Sequence, residues 1–239
     1  MDMMLALLAT GIFTGFFVQT ITGFAGALVA LPFLLFVMPL PDAIGYLSIF
    51  YMISTPFHVY KEWEYIDKNL LKKLVISSFI GLLLGIVVLS YGQPIILKRA
   101  LGIFIILYAL HSAKSKKEVQ FFSKMKYVFG FLGGFFSGVF SSGGPLYLVI
   151  VKNETSDVKI MRATMFGVLG LITFMRIPVL AFEGILTINQ LYNSLFALPF
   201  FILALYLGKK VYLLLNQKLL QQLMLGLLLV SGMVLLFKK

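Results

Sequence analysis

The chain has no cysteine, two histidines, one tryptophan and only nine acidic residues among 239. Without cysteine there is no disulfide, no thiolate metal site and no cysteine redox relay, and the redox compartment cannot be read. No Walker loop and no HExxH motif is present, so the sequence points to neither an enzyme, a metal site nor a cofactor. Charge is scarce as well. Asp, Glu, Lys and Arg make up 12% of the chain, against about 25% in ordinary globular domains, which leaves no room for a separate soluble domain. A cleaved signal peptide begins with a positive region, whereas residue 2 here is Asp and the first basic residue is Lys61. The first apolar segment is therefore expected to stay in the mature chain.

What remains is largely hydrophobic, 60% of the residues, and it is arranged in long runs. Eight apolar segments are predicted, at 3–38, 43–60, 70–91, 94–112, 127–151, 160–182, 188–208 and 219–237. Their lengths read as an all-α polytopic membrane protein. The net charge of +11 does not argue for nucleic acid, because the basic residues lie between the apolar runs, where membrane proteins keep them for orientation. The expected partners are the lipid bilayer and a small anionic substrate; nothing in the sequence argues for an oligomer.

Two segments are unusual. From Met3 to Met38 the chain carries no charge at all, a stretch far longer than the roughly 20 residues a spanning helix needs. Near its middle lie Gln19, Thr20, Thr22, Gly23 and Gly26, several of which weaken a helix. The second, "GGFFSGVFSSGGPLYLVIV" (133–151), aligns with "TGFFVQTITGFAGALVALP" (14–32). Later, "KRALGIFII" (98–106) matches "QQLMLGLLL" (221–229) at nearly the same spacing. The reading is an internal repeat, residues 1–113 and 127–239, joined by a basic linker at 114–126. Each half is one broken segment followed by three ordinary ones. Paired Gly-interrupted segments in matching positions point to a transporter's binding site.

Charge distinguishes two topologies. If each broken segment crosses once, the 20 Lys and Arg residues divide 12 to 8. If each is a re-entrant hairpin, 15 fall on the side carrying 61–73, 114–126, 152–162 and 209–218. Cytoplasmic loops are the basic ones, so the hairpin arrangement is preferred over a long kinked helix. The two halves are then inverted, and both termini face outward from a cell (inner) membrane.

In such a hairpin the second helix begins inside the protein and aims its N-terminus, an anion-attracting end, at the membrane centre. Ser141 and Ser142 are read as caps of the second returning helix. Gly143 and Gly144 allow close approach of backbone to a ligand, and Pro145 fits a first helical position. In the first half Thr22 is read as a cap, Gly23 and Gly26 as the turn, and Gln19 and Thr20 as polar lining. The same glycines also suit plain helix packing. Arg176 is the one basic residue well inside an apolar run; it either draws an anion or snorkels from a helix end. His58 is a structural histidine or a proton relay, and Arg162 marks the inner boundary. Glu64 and Glu183 occupy matching breaks and read as solvated loop charges.

The segments "GIFTGFFVQTITGFAGALVALPFL" (11–34) and "GFLGGFFSGVFSSGGPLYL" (130–148), with "RAT" at 162–164, resemble the TauE/SafE family of sulfite exporter-like membrane permeases. The resemblance covers nearly the whole chain. It implies transport of small sulfur-containing anions such as sulfite, thiosulfate or sulfonated organic acids, with direction left open. The expected function is thus a secondary transporter or facilitator of a small anion. An anion channel on the same scaffold and a non-transporting accessory subunit are the rivals.

Overall fold

The computed structural model describes residues 3–114, 125–155, 157–214 and the isolated positions 226, 229 and 233. The central part of the basic linker and nearly all of the eighth predicted segment, with the terminal lysines, lie outside the described residues. Every element among the described residues is helical: α1 (Met3–Thr22), α2 (Gly26–Leu34), α3 (Leu40–Glu62), α4 (Lys68–Tyr91), α5 (Pro94–Lys114), α6 (Lys126–Phe140), α7 (Gly144–Glu154), α8 (Val158–Phe182) and α9 (Ile188–Leu214). A single 3-10 turn at Trp63–Tyr65 follows α3. Four helices, α1, α4, α8 and α9, are long and apolar enough to cross a membrane.

Both long segments break where the glycines and small polar residues cluster, at 23–25 and 141–143. Each break turns on one residue in the left-handed region, Gly23 at φ 89° and Ser141 at φ 53°. The turns close with helix-terminal hydrogen bonds, Gly23 N–H to the Gln19 carbonyl at 2.7 Å and Ser141 N–H to that of Ser137 at 3.0 Å. Each chain then doubles back. A Cβ on Gly11 would meet Phe33, and one on Gly15 would meet Ala30, so α1 and α2 run antiparallel. Lys126 pairs with Glu154 and Tyr147 donates to the Gly130 carbonyl, so α6 and α7 do the same. The arms are unequal, however. At 1.5 Å per residue, α1 is about 30 Å long and α2 about 14 Å. The first arm is thus long enough to cross a membrane on its own, longer than the half-helix expected from the sequence.

Polar contacts identify the two ends of the bundle. At one end Arg162 pairs with Glu62, Lys159 lies over the Tyr65 ring, and Asp67 N–H donates to Thr164. At the other end Gln190 reaches Asp42 and Asn193 donates to Tyr46. Residues 62–67 and 157–164 therefore share an end, and 42–46 and 190–193 share the opposite one. The single-crossing arrangement separates 61–73 from 152–162 and does not fit. Aspartates cap the helices that start at the first end: Asp67 accepts from Asn69 and Leu70 N–H in α4, and Asp157 from Lys159 and Ile160 N–H in α8.

With apolar lipid outside, helix association depends on close packing of small residues. The tightest seam joins α4 to α6. A Cβ added at Gly81 would sit 2.0 Å from the Phe131 carbonyl oxygen, and one at Gly134 would sit 2.0 Å from that of Ser78. The corresponding seam joins α1 to α9, where Gly208 packs on Thr20. Because backbone faces backbone, Gly134→Ala has no flexible neighbour to displace. Its cost is expected at about 1–3 kcal/mol, the overpacking range, read as a lowered melting temperature in detergent. Leu84→Ala, at an exposed position on the same α4, is expected to change it little.

Candidate functional site

The two helix breaks meet. A Cβ on Gly144, in the first turn of α7, would lie 2.9 Å from the Phe24 Cβ, so the second break rests on the first. Gly23 faces α8 from the other side, where its Cβ would lie 3.2 Å from the Arg162 side chain. The polar residues converge on this junction and are closed off from solvent, Gln19 being 1% and Ser142 2% exposed.

Arg176 is the centre of the cluster. It projects from α8, is only 2% exposed, and so does not snorkel to the surface. Its Nη1 donates to the Ser137 carbonyl at 3.1 Å and to Ser141 Oγ at 2.5 Å. The guanidinium also lies 5.6 Å from the centre of the Tyr51 ring. Its Nε has no hydrogen-bond partner among the described residues. No carboxylate pairs with it either; the ion pairs among the described residues are Lys126–Glu154 and Arg162–Glu62. A buried cation without a counter-charge is costly, and an anion bound beside it removes that cost.

Tyr51 links Arg176 to the first break. Its hydroxyl accepts from Ala27 N–H at 2.9 Å, satisfying one of the unpaired donors at the start of α2. The Gln19 side-chain oxygen faces the same helix start, 2.3 Å from where a Cβ on Gly26 would stand, and has no partner. Gly26 is thus glycine because Gln19 and Tyr51 fill the space beside it. On the other side, a Cβ on Gly143 would collide with the Gly133 carbonyl and the Ser137 hydroxyl. Sequence reasoning did not single out Tyr51 or Ser137. A tyrosine on an apolar helix reads as core or interface, and a lone serine in a helix reads as packing.

Several local expectations change. Ser141 and Ser142 do not cap α7, whose N-cap is Gly143 with no side-chain hydrogen bond. Ser141 instead ends α6 and accepts from Arg176, while the buried Ser142 hydroxyl has no partner. Pro145 does lie in the first turn of α7. Thr22 does not cap α2, which begins after Ala25 without a side-chain cap; its hydroxyl spans the turn, accepting from Phe24 and Ala25 N–H at 3.4 Å. The Thr20 hydroxyl bonds back to Phe16 at 2.7 Å, and its side chain packs on Gly208 of α9, away from the junction. His58 is buried and stacks on Phe166, rings 4.2 Å apart. It lies on the Arg162 side of the junction, since Arg162 also faces Phe166. Glu64 is exposed.

Arg162 is more than a boundary marker. Its Nη2 donates to the Thr20 carbonyl at 2.7 Å, at the end of α1. Arg176 bonds the Ser137 carbonyl at the end of α6. One helix, α8, therefore sends an arginine to the last turn of the first arm of each hairpin.

The contact between the breaks yields a test. Gly144→Val is expected to force Phe24 and the α7 start apart, lowering anion affinity more than melting temperature. Adding Phe24→Ala restores part of the loss, with a coupling of about 0.5–3 kcal/mol for residues in contact. Purely additive effects in melting and anion-binding measurements would show that the two breaks act independently.

The family description "Sulfite exporter TauE/SafE" matches residues 7–235, which includes both helix breaks and all the residues of the junction. No curated protein and no solved structure matches the chain. The match spans nearly the full length, and the helices it covers include four that are long and apolar enough to cross a membrane. The chain is a multi-pass membrane protein and belongs to the sulfite exporter TauE/SafE family.

Proposed function

We propose that the protein is a secondary transporter or facilitator of a small oxyanion, a sulfur oxyanion or organosulfonate, bound at the junction of the two helix breaks. The observation that carries this reading is Arg176, buried, without a carboxylate partner and with Nε unpaired. The anion lies against this guanidinium, with the hydroxyls of Ser141 and Ser142 beside it. The starts of α2 and α7 contribute their positive ends, and Tyr51 and Gln19 complete the polar wall. Glycine at 23, 26, 143 and 144 lets the turns pack this closely against Arg162, Gln19, Ser137 and Phe24, which holds the two helix starts beside the guanidinium. His58 is kept as a candidate proton relay on the Arg162 side.

The architecture proposed for this task is a pair of inverted repeats, each a re-entrant hairpin with three spanning segments. The pattern of helix contacts supports it. Exchanging α1 with α6, α2 with α7, α3 with α8 and α4 with α9 maps the α1–α9 packing onto α6–α4 and leaves the α3–α8 packing in place. The two repeats, 1–113 and 127–239, then approach the site from opposite faces of a cell (inner) membrane, the geometry alternating access needs. The end carrying residues 61–67 holds most of the basic residues among those described and is assigned to the cytoplasm; both termini are assigned to the outside.

Two experiments test this. Arg176→Gln is expected to weaken anion binding by about 1.5–3 kcal/mol, the worth of a hydrogen bond to a charged group, while Arg176→Lys retains part of it. Isothermal titration with sulfite, thiosulfate and sulfoacetate on purified protein measures both. Unchanged affinity in folded Arg176→Gln protein would remove the central site. Saturable flux in proteoliposomes separates a transporter from a conductive channel or an inert subunit. For topology, single cysteines at Lys68 and Gly184 are expected to react oppositely with an impermeant thiol reagent in intact cells, Gly184→Cys labelled and Lys68→Cys protected.

A further inference from the structure

We propose that Arg162 forms a second oxyanion subsite, at the end of the bundle carrying residues 61–67, and that the Glu62 carboxylate occupies it in this conformation as a tethered competitor. This rests on the reading of a central anion site at Arg176. Arg162 and Arg176 lie about four turns and about 21 Å apart along α8, close to the same face, and each bonds the last turn of one hairpin's first arm. The two guanidinium groups thus flank the junction of the breaks from opposite ends. A small anion leaving Arg176 toward residues 61–67 meets Arg162 next.

The surroundings of Arg162 are built to hold a planar cation and an oxyanion. Its guanidinium carbon lies 4.2 Å from the centre of the Tyr212 ring and 4.9 Å from that of Phe166. His58 stacks on Phe166, nearly parallel. Aromatic faces stabilise a desolvated guanidinium. Nη2 is fixed by the Thr20 carbonyl at 2.7 Å. The anion-facing side is filled by Glu62, whose Oε1 pairs with Nη1.

This ion pair is half used. Arginine and carboxylate usually bond as a fork, two N–H groups to two oxygens. Here Arg162 Nε and Glu62 Oε2 are both buried and both lack a partner. Only one of two available bonds is made, and the unmade pair is a cost in a low-dielectric setting. A free oxyanion, not tied to α3, can present oxygens to Nε and Nη1 together. Glu62 therefore holds the subsite closed when no anion is present, yet less well than the anion itself. Displaced, it returns to expel the anion and complete the transfer. Other charged or titratable groups near the pair are Lys61, Lys159 and His58; Lys159 stands over Tyr65 at 3.6 Å and keeps the mouth positive.

The test uses the full-length protein and sulfite, by titration calorimetry and by flux in proteoliposomes. Removing the competitor's charge with Glu62→Gln is expected to tighten sulfite binding about fivefold or more, within the usual range for coupled sites, and to slow turnover, because nothing expels the anion. Adding Arg162→Gln to that variant is expected to abolish the gain. If Glu62→Gln does not fold, Glu62→Asp, with its shorter reach, takes its place and is expected to tighten binding in the same direction by a smaller factor. A purely structural ion pair predicts lower melting temperature with sulfite affinity unchanged, and that result overturns the proposal. So does a gain that persists in Glu62→Gln/Arg162→Gln protein. Arg176→Gln separates the two readings: if it leaves sulfite affinity intact the central site fails, whereas if it weakens binding while Glu62→Gln changes nothing, only the Arg162 subsite fails.

Discussion

A helix that stops inside an apolar bundle leaves carbonyl groups without partners, and hydrocarbon supplies none. The arrangement described here depends on how that requirement is met twice. Each break uses a left-handed residue to fold the last turn back on itself. Each then takes a donor from α8: Arg162 at the Thr20 carbonyl and Arg176 at the Ser137 carbonyl. The guanidinium groups are buried because the carbonyls are, and the carbonyls are exposed at depth because the chain turns there. Buried arginines and broken helices are two sides of one requirement.

The two arginines meet that requirement with different electrostatic outcomes. Arg162 has the Glu62 carboxylate as a direct counter-charge. Among the described residues Arg176 has a hydroxyl, a carbonyl and a tyrosine ring. A cation so placed can be tolerated at all because guanidinium is weakly hydrated and makes several hydrogen bonds. It leaves a surplus of positive potential at the point where two helices begin. The surroundings of that surplus are apolar: Phe24, Phe16 and the aromatic cluster of Phe50 and Phe201.

Much of the helix plan was legible in the sequence, because a bilayer imposes segment length and punishes charge. The breaks at 23–25 and 141–143 fall where Gly23, Gly26 and "SSGG" predicted them. The contacts of Glu62 with Arg162 and of Asp42 with Gln190 place residues 62 and 162 at one end of the bundle and 42 and 190 at the other. What was not legible depends on side-chain direction. Ser141 looks like a cap for the helix after it, yet its left-handed backbone makes it the end of the helix before it. Thr20 sits among polar residues in sequence, but its rotation about α1 turns the side chain to Gly208. Arg162 lies one turn into α8 beside a polar loop, and only the fold reveals that Thr20, far away in the chain, lies within its reach. Tyr51 carried no signal, since its role comes from a contact with Ala27 on another helix.

The two arginines also share a rigid carrier. A helix resists stretching, so the about 21 Å between their α-carbons acts as a fixed gauge rod between the hairpins. Any motion that draws the two turns apart, or slides one past the other, outruns the rod and must detach one guanidinium while the other holds. The two attachments cannot both follow. The two hairpins are thus held in register by one rigid element, like two doors on a common bar, and Pro178, two residues beyond Arg176, lies within α8, which runs on to Phe182.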